Sequence, residues 1–376
     1  MKKSILSALT ALMLASCANV NTNDGGLTVI DVENPTIKEP LPLEQLIESA
    51  QLVPLTGDSL LLSMIITTEF APDRIITVEG MPTIAEPVKI FDLSGKLIAG
   101  IHTGQGPGEI AGFPSFVHYN SNTQHIIIND NNKPLKLYSK DGAFIGDQPT
   151  PYQFCQMQFL NDEYLFYAAD YQLNDTLKSY FFVTDKDFNI KYSAFPITVN
   201  RSFSLSMTGN FELNGDHVVI VRDTIYYYQD SKLEPKYYFK FANRFSLDKW
   251  TNEEMLDFRQ IDGFLSGSYL ESSKTQFFWT RKPSTGEVKI MLRDIKSGNN
   301  FTYNFPDNES FGISGFSILT PVRVLNDKCV SRINGDNYST IFPLIKPFLD
   351  AESLKIVENY NEDSNPMFLF YTTKEF

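Results

Sequence analysis

The sequence predicts an all-β fold, a six-bladed β-propeller of four-stranded antiparallel blades, and two features lead to this prediction. Residues 88–101 read as two short alternating strands joined by a tight turn that contains Gly95, a pattern that indicates a β-hairpin. The same pattern returns around Gly142 and again around Asn189, each 47 residues after the previous turn residue. Both residue types tolerate a positive φ. A repeat near 47 residues built from strands rather than helices is typical of propeller blades.

The first residues indicate export. Lys2 and Lys3 precede an apolar run over residues 5–14, and the sequence Leu-Ala-Ser-Cys then ends at Cys17. This order is typical of a secretory signal that is too short to remain as a membrane-spanning helix. The last four residues resemble the bacterial lipoprotein signal, in which the cysteine becomes the first residue and carries acyl chains. We therefore predict a signal peptide at residues 1–16 and lipidation of Cys17; an ordinary signal peptide is the alternative.

This signal predicts a lipoprotein of the outer membrane in the cell envelope. The residues after Cys17 lack an immediate acidic cluster, which favours the periplasmic side over the cell surface. Contact with the membrane is expected through the lipid anchor only, because several acyl chains anchor a protein stably.

Residues 17–40 are interpreted as a tether and lead-in, and residues 41–376 as the propeller domain. Residues 18–26 are polar and glycine-rich, as in a flexible tether, and residues 29–34 are compatible with a short strand. The apolar spacing over residues 41–49 predicts a helix of about two turns, with Pro42 in its first turn. A short apolar strand is expected at residues 52–55, where Pro54 favours an edge position.

Alternating patterns and turn residues then predict the blades in order. The predicted strands are 61–68, 74–78, 88–91 and 96–101 in blade one, 113–119, 125–129, 135–138 and 143–146 in blade two, 153–159, 164–168, 180–184 and 190–195 in blade three, 204–213, 217–221, 224–228 and 236–241 in blade four, and 264–270, 275–280, 288–293 and 300–305 in blade five. Two short helical insertions are expected, at about residues 246–261 and 350–360.

Blade six has only three strands at the C-terminal end, over residues 321–325, 329–333 and 367–372. The surplus N-terminal strand at residues 52–55 can supply the fourth. We therefore predict that strands from both chain ends close the ring, which leaves no incomplete blade.

Charge and cysteine content exclude two classes of chemistry. The formal charge of −13 offers no basic stripe for nucleic acid, so no nucleic-acid partner is expected. Cys155 and Cys329 fall about three blades apart, whereas a disulfide needs Cα atoms within roughly 7 Å. We predict two buried thiols that do not form a disulfide.

The glycine-rich segment at residues 104–109 (GQGPGE) is not interpreted as a phosphate loop. Pro107 removes a backbone amide, and neither a helix nor a Lys-Ser/Thr pair follows. We expect a crossing between two blades, with Glu109 capping its turn. The sequence also lacks G-x-S-x-G, H-E-x-x-H and C-x-x-C patterns. It therefore predicts no cofactor, no metal site and no catalytic residue.

Aromatic and arginine side chains beside strand ends are the candidate ligand-binding residues, because propellers bind ligands at the mouth of the central channel. Aromatic faces flanked by arginine suit sugars or anionic ligands. The alternative is that these aromatic residues only fill the space between blades. The candidates are Arg201, Arg222, Trp250, Trp279 and Arg281.

Several segments together resemble a known family. They are Val53-Pro54-Leu55 after the lead-in, IFDLSGKLI from residue 90, GQGPGE from residue 104, DTIYYY from residue 223 with LEPKYYFKF from residue 233, and NPMFLFY from residue 365. In this order they look like the six-bladed propeller lipoproteins of Bacteroides-type bacteria, which are related in architecture to NHL-repeat and TolB-like propellers. The resemblance implies the fold and an envelope location, and it implies no catalytic site.

Three functions are compatible with these patterns. The first is a non-catalytic, monomeric binding or protein-interaction module that recognises a glycan, a peptide or an envelope protein at its channel mouth. The second is a propeller enzyme, lactonase-like or glycan-cleaving, which would need carboxylates or histidines converging on the channel, often around a divalent cation. The third is a sensor or assembly partner of an outer-membrane uptake system.

Overall fold

The computed structural model of the chain is a ring of six sheets, and each sheet is one blade of a β-propeller. The structure describes residues 22–23, 26–80, 85–112, 114–130, 134–160, 162–168, 177–196, 208–213, 216–221, 223–241, 264–282, 287–304, 318–361 and 363–376. Five sheets have four antiparallel strands, and the four strands of blade four are extended by two N-terminal strands. The predicted all-β six-bladed propeller is confirmed.

Blades one to three use strands close to the predicted ones, numbered here in chain order. Blade one contains β4 (Ile65–Phe70), β5 (Ile75–Glu79), β6 (Val88–Phe91) and β7 (Leu97–Ile101). Blade two contains β8 (Pro114–Asn120), β9 (His125–Asp130), β10 (Leu135–Ser139) and β11 (Phe144–Gln148). Blade three contains β12 (Gln156–Leu160), β13 (Glu163–Tyr167), β14 (Ser179–Asp185) and β15 (Ile190–Pro196).

Blades four to six follow the same order from the channel outward. Blade four contains β16 (Thr208–Leu213), β17 (Asp216–Val221), β18 (Thr224–Gln229) and β19 (Lys232–Lys240). Blade five contains β20 (Phe264–Glu271), β21 (Thr275–Lys282), β22 (Glu287–Asp294) and β23 (Asn300–Asn304). Blade six contains β24 (Arg323–Leu325), β25 (Lys328–Ile333), β26 (Met367–Thr373) and β3 (Ile47–Pro54).

Blade six is closed by both ends of the chain, as predicted. The N-terminal strand β3 pairs antiparallel with the C-terminal strand β26, so that Leu52 lies opposite Leu369 and Pro54 opposite Met367. β3 is the outermost strand of this blade. Pro54 is therefore at an edge, where its missing amide costs no ladder hydrogen bond.

The ring has two faces and a core divided between neighbouring blades. The innermost strand of each blade begins at one face, here called the top face, and the hairpin to the second strand lies at the opposite, bottom face. Apolar side chains of adjacent sheets pack between the blades. Between blades one and two these include Ile76, Val78, Ile90, Ile126, Ile128 and Tyr138.

The repeated turn between the third and fourth strands differs from the prediction in its third copy. Gly95 and Gly142 have φ values of 84° and 85°, but the positive φ in blade three belongs to Phe188 (63°) and not to Asn189. The turn is fixed by Asp185, whose Oδ1 accepts hydrogen bonds from the amides of Asp187 and Asn189, both 2.9 Å away. Asn189 is therefore one position beyond the left-handed residue, and the repeat shortens from 47 to 46.

The surroundings of Phe188 show how an aromatic residue occupies this position. Its ring stacks on Tyr164 with 5.4 Å between centroids, and its carbonyl accepts a hydrogen bond of 2.8 Å from the Tyr152 hydroxyl. Contacts with blade three offset the strain of a left-handed backbone in a residue other than glycine.

The N-terminal segment runs along the outer rim of three blades. β1 (Thr22–Asn23) pairs with β2 (Leu27–Asp31), and β2 adds in parallel to β19 of blade four. The segment then reaches blade five, where the Thr36 hydroxyl accepts a hydrogen bond of 2.7 Å from the Asn300 amide. It continues into β3 of blade six and so joins three consecutive blades from outside.

The lead-in helix is shorter than the two turns predicted from the sequence. The structure has a single helical turn, α1 (Leu43–Leu46), with Pro42 at its N-cap, and strand β3 begins at Ile47. Ser49, expected in the helix, lies opposite Thr372 in the sheet of blade six. Pairing with the edge of β26 satisfies more backbone groups than a second helical turn would, so the tertiary contact overrides the local helical spacing.

Two further helices lie between β25 and β26. α3 (Ala351–Asn359) matches the predicted insertion at residues 350–360, and the Asp350 side chain caps it by accepting a hydrogen bond from the Ser353 amide. α2 (Tyr338–Ile345), flanked by 3-10 turns at Gly335–Asn337 and Lys346–Phe348, was not predicted. The insertion expected at residues 246–261 lies outside the described residues.

The glycine-rich segment and the cysteines behave largely as predicted. Residues 104–109 join the outermost strand of blade one to the innermost strand of blade two, and the Glu109 carboxylate accepts a hydrogen bond of 2.7 Å from the Gly106 amide. Neither Cys155 nor Cys329 forms a disulfide; Cys329 is buried, whereas Cys155 is only half-buried.

Candidate functional site

Three polar side chains occupy equivalent positions on the innermost strands of blades one, two and three. Each lies opposite a residue of the second strand, and that residue lies opposite a residue of the third strand. The third-strand residue is in each case two positions before the turn to the fourth strand. From the first to the third strand, the three rows are Glu69–Ile76–Ile90, His118–Ile127–Leu137 and Gln158–Leu165–Val183. We call Glu69, His118 and Gln158 the channel arc, because innermost strands line the central channel of a propeller.

Blade five carries an apolar residue at the same position. Leu270 pairs with Phe277, which pairs with Leu292 two positions before the turn at Asp294. Leu270 is partly buried against the apolar clusters on both sides of its blade. At this position blades one to three therefore carry polar residues, whereas blade five carries an apolar one.

Glu69 links blade one to blade two. Its Oε1 lies 3.4 Å from Nδ1 of His118 and accepts a hydrogen bond of 3.2 Å from the Tyr119 amide. The His118 residue is 7% exposed and Gln158 is 4% exposed. A carboxylate at this depth is stable only with such partners, because an unpaired buried charge is costly.

Arg323, on the innermost strand of blade six, supplies a further charge near Glu69. Burial pushes the pKa of Glu69 upward, but the hydrogen bond and charge of His118, the charge of Arg323 and the Tyr119 amide together bring this pKa below its ordinary value. Arg323 itself is half-buried and forms no ion pair with any described residue. Arg323 thus adds a positive charge on the side of the ring that carries the channel arc.

A second feature lies at the top face, where four large apolar side chains are exposed. Leu61 is 80% exposed, Met64 64%, Val322 46% and Ile66 40%. Three of them enter or begin β4 of blade one, and Val322 immediately precedes β24 of blade six. We call these four residues the top patch.

Hydrogen bonds join the two blades that carry the top patch. The Asn365 side chain accepts from the Leu62 amide and donates to the Leu60 carbonyl, both at 2.8 Å. Asn365 precedes β26 of blade six, so the segment entering blade one is fastened to its neighbour. The exposed side chains therefore stand on a backbone that is held in place.

The candidate residues from the sequence are only partly described. Trp279 lies on β21, is half-buried and packs against the apolar cluster between blades five and six. Arg281 lies on the same strand opposite Phe264 and Val288. Arg201, Arg222, Trp250 and the predicted lipidation site Cys17 lie outside the described residues.

The sequence analysis missed Glu69, His118, Gln158 and Arg323 as a group. Their spacing to the outer turns is irregular: Glu69 lies 23 residues before Asp92, His118 21 before Ser139 and Gln158 27 before Asp185. Because the loops within the blades differ in length, the sequence does not show that these residues occupy the same position in their blades. Other polar residues on the same innermost strands, such as Thr68 and Gln156, leave no sequence signal that singles out these positions.

In the part of the chain that the structure describes, no three His, Cys, Asp or Glu side chains are grouped so that they could hold a metal ion. No described helix is long and apolar enough to cross a membrane.

Comparison with solved structures supports the fold. A protein of Bacteroides fragilis NCTC 9343, described as exported, matches with a TM-score of 0.70 and 19% identity over 93% of this chain and 100% of its own. PorZ, a surface component of the type-IX secretion system of Porphyromonas gingivalis, matches with a TM-score of 0.35 and 10% identity, over 65% of this chain and 26% of its own. BamB of Moraxella catarrhalis matches with a TM-score of 0.36 and 10% identity, over 65% of this chain and 77% of its own.

Comparison with protein families gives the assignment. No curated protein matches the chain significantly. The model of the family described as a domain of unknown function, DUF4934, matches residues 27–372. This range runs from β2 into β26 and so includes strands of all six blades. The chain therefore belongs to the DUF4934 family.

Proposed function

We propose that this protein is a lipid-anchored, non-catalytic interaction module of the cell envelope, and that a partner protein docks on the top patch. The exposure of Leu61, Met64, Ile66 and Val322 on two adjacent blades carries the proposal. Exposed apolar groups that are held together on a rigid scaffold are typical of protein-interaction surfaces. Their position at the start of the innermost strands supports the proposal, because propellers commonly bind ligands at the mouth of the channel that these strands line.

The chemistry of the patch favours a protein over a glycan. Glycan sites rely on hydrogen-bonding groups around an aromatic face, whereas these four side chains are aliphatic or thioether groups without polar atoms that donate. Met64 and Ile66 pack over Gly80, where a Cβ would clash with the Ile66 side chain and come within 3.2 Å of the Met64 side chain. The flexible thioether of Met64 can adapt its shape to an apolar side chain of a partner.

Site-specific photo-crosslinking in intact cells tests the docking surface. A photoreactive amino acid in place of Leu61 should give a discrete crosslinked product with one envelope protein. The matched control places the same amino acid at Ile145, which is 50% exposed on the outermost strand of blade two. Equal products from both positions, or no product from position 61, would count against the proposal.

The lipid anchor is tested separately. Cys17→Ser should release the protein from the membrane fraction into the periplasmic extract, because the thiol that would carry the acyl chains is lost. Retention in the membrane fraction would refute the anchor and leave the docking proposal untouched.

The five residues singled out in the sequence remain proposed ligand-binding residues. Arg281 is the one whose surroundings favour this: it lies near the end of β21, opposite the first residue of the innermost strand β20, and hence toward the top face. Alanine substitutions of Arg201, Arg222, Trp250, Trp279 and Arg281 should weaken partner binding without unfolding the ring. Unchanged crosslinking in all five variants would remove them from the site.

An enzyme is the second candidate, and one observation favours it. Glu69 and His118, a carboxylate and an imidazole 3.4 Å apart on innermost strands, have the residue types and the separation of an acid–base pair. The enzyme would be lactonase-like or glycan-cleaving, with or without a divalent cation. Turnover of lactone or glycan substrates with added calcium or zinc, abolished by Glu69→Gln, would establish it, and absence of turnover across the panel would reject it.

A further inference from the structure

The channel arc and Arg323 place polar side chains on the innermost strands of four consecutive blades: six, one, two and three. Packing alone does not require this, because Leu270 fills the equivalent position in blade five. Burying polar side chains costs free energy unless partners satisfy them. An arc of this kind is therefore understood more readily as a binding surface than as a packing solution.

The hydrogen bonds already made in the arc decide what remains for a ligand. Glu69 uses Oε1 for His118 Nδ1 and for the Tyr119 amide. With Nδ1 facing Glu69, the other ring nitrogen of His118, Nε2, is the one turned away from this carboxylate. Arg323 has five N–H donors in a planar fork and no ion pair with a described residue. The groups left for a ligand are therefore mainly donors, which suits an acceptor of negative charge.

We propose that the channel arc, together with Arg323, binds a small molecule that carries a carboxylate. The carboxylate pairs with the guanidinium of Arg323, the geometry in which arginine recognises this group bidentately. His118 Nε2 contacts the polar remainder of the ligand. Glu69 is a positioning residue: it fixes the orientation of the His118 ring through Nδ1.

The charge of Glu69 limits the ligand class. Glu69 stands close enough to Arg323 for their charges to interact, so a dianionic phosphate would meet repulsion from the carboxylate as well as attraction to the guanidinium. A singly charged carboxylate meets less of this repulsion. The site shares no residue with the top patch, so carboxylate binding and docking of the partner are measured independently and either can fail alone.

Matched pairs of small molecules test the proposal on the full folded protein. Galacturonate, propionate and acetate are compared with galactose, propionamide and acetamide by calorimetric titration and by thermal shift at neutral pH. At least one carboxylate should bind and raise the melting temperature, while its neutral counterpart should not. Inorganic phosphate forms a third arm and should bind more weakly than the best carboxylate.

Two arginine variants locate the binding. Arg323→Gln should weaken the binding of that carboxylate roughly ten-fold or more, since a charge-assisted hydrogen-bond pair is lost. The matched control is Arg74→Gln, because Arg74 lies at the bottom rim in ion pairs with Asp73 and Asp141 and contributes nothing to the arc. Arg323→Lys keeps the charge without the planar fork and should weaken binding several-fold; it replaces Arg323→Gln should that variant not fold.

Four results would overturn the proposal. Three of them are no binding by any of the three carboxylates, equal binding of a carboxylate and its neutral counterpart, and affinities of the Arg323 variants equal to wild type. Phosphate binding tighter than every carboxylate would also reject the ligand class.

Discussion

Glu69 and Glu79 lie on neighbouring strands of blade one, ten residues apart, and both are shielded from water. Glu79 pairs with Lys89 on the next strand of the same blade and accepts a hydrogen bond of 2.6 Å from the Ser63 amide. Glu69 has its partners on other blades: His118 and the Tyr119 amide in blade two and the charge of Arg323 in blade six. One carboxylate holds a blade together internally, and the other spans blade boundaries at the channel.

This difference shows how the fold separates stability from recognition. The side chains of Glu79 and Lys89 are 1% and 7% exposed, so neither charge can be rehydrated when its partner is lost. Glu69 is 16% exposed and Arg323 is half-buried, so both keep some access to solvent and to a ligand. The two sites should therefore respond differently to the same substitution.

The largest effect is expected for Glu79→Gln. It leaves the Lys89 ammonium buried without its counter-charge, which should lower the free energy of unfolding by about 3–5 kcal/mol. Urea denaturation at neutral pH measures the loss. The control is the double variant Glu79→Leu/Lys89→Met, which removes both charges and should regain most of the stability; a double variant as unstable as the single one would contradict the explanation.

An intermediate effect is expected for Asp130→Asn in blade two. Asp130 is fully buried, and its two oxygens accept hydrogen bonds from the Ala111 amide at 2.8 Å and the Gly112 amide at 2.9 Å, with no ion pair to any described residue. Asparagine can accept only one of them, so the expected loss is about 1–3 kcal/mol. Asp147→Asn, at an exposed position of the same blade, is the control and should be nearly neutral. A loss of unfolding free energy larger than that of Glu79→Gln would contradict the expectation that an unpaired Lys89 ammonium is the more destabilising of the two changes.

The smallest effect is expected for Glu69→Gln, about 1 kcal/mol at neutral pH, since glutamine keeps an acceptor for the Tyr119 amide. The pKa of Glu69 is lowered in the fold, so the stability from its carboxylate is present above the ordinary pKa of 4.5 and is lost as the pH falls through the folded-state pKa. The difference between wild type and variant should therefore shrink on acidification. Denaturation at pH 7, 5 and 4 measures it, and a difference that stays constant or grows would contradict the assignment.

Much of the fold could be predicted because its signals are local. Alternation and turn residues located the strands of all six blades, and counting the strands of blade six was enough to predict its closure by β3 and β26. The errors arose where a distant contact overrode a local pattern. Helix α1 ends at Leu46 because the following residues pair with β26, and Phe188 adopts the left-handed conformation expected of a neighbouring asparagine because Asp185 fixes the turn.

The number and order of the blades were determined by the sequence itself, because each blade is a set of consecutive hairpins whose pattern is written within about fifty residues. Which side chains meet at the channel was decided only by the tertiary structure. Glu69, His118 and Arg323 come from three blades, and loops of unequal length separate them along the chain. Only the packing of whole blades against each other brings these charges within reach, and no periodicity in the sequence records that packing.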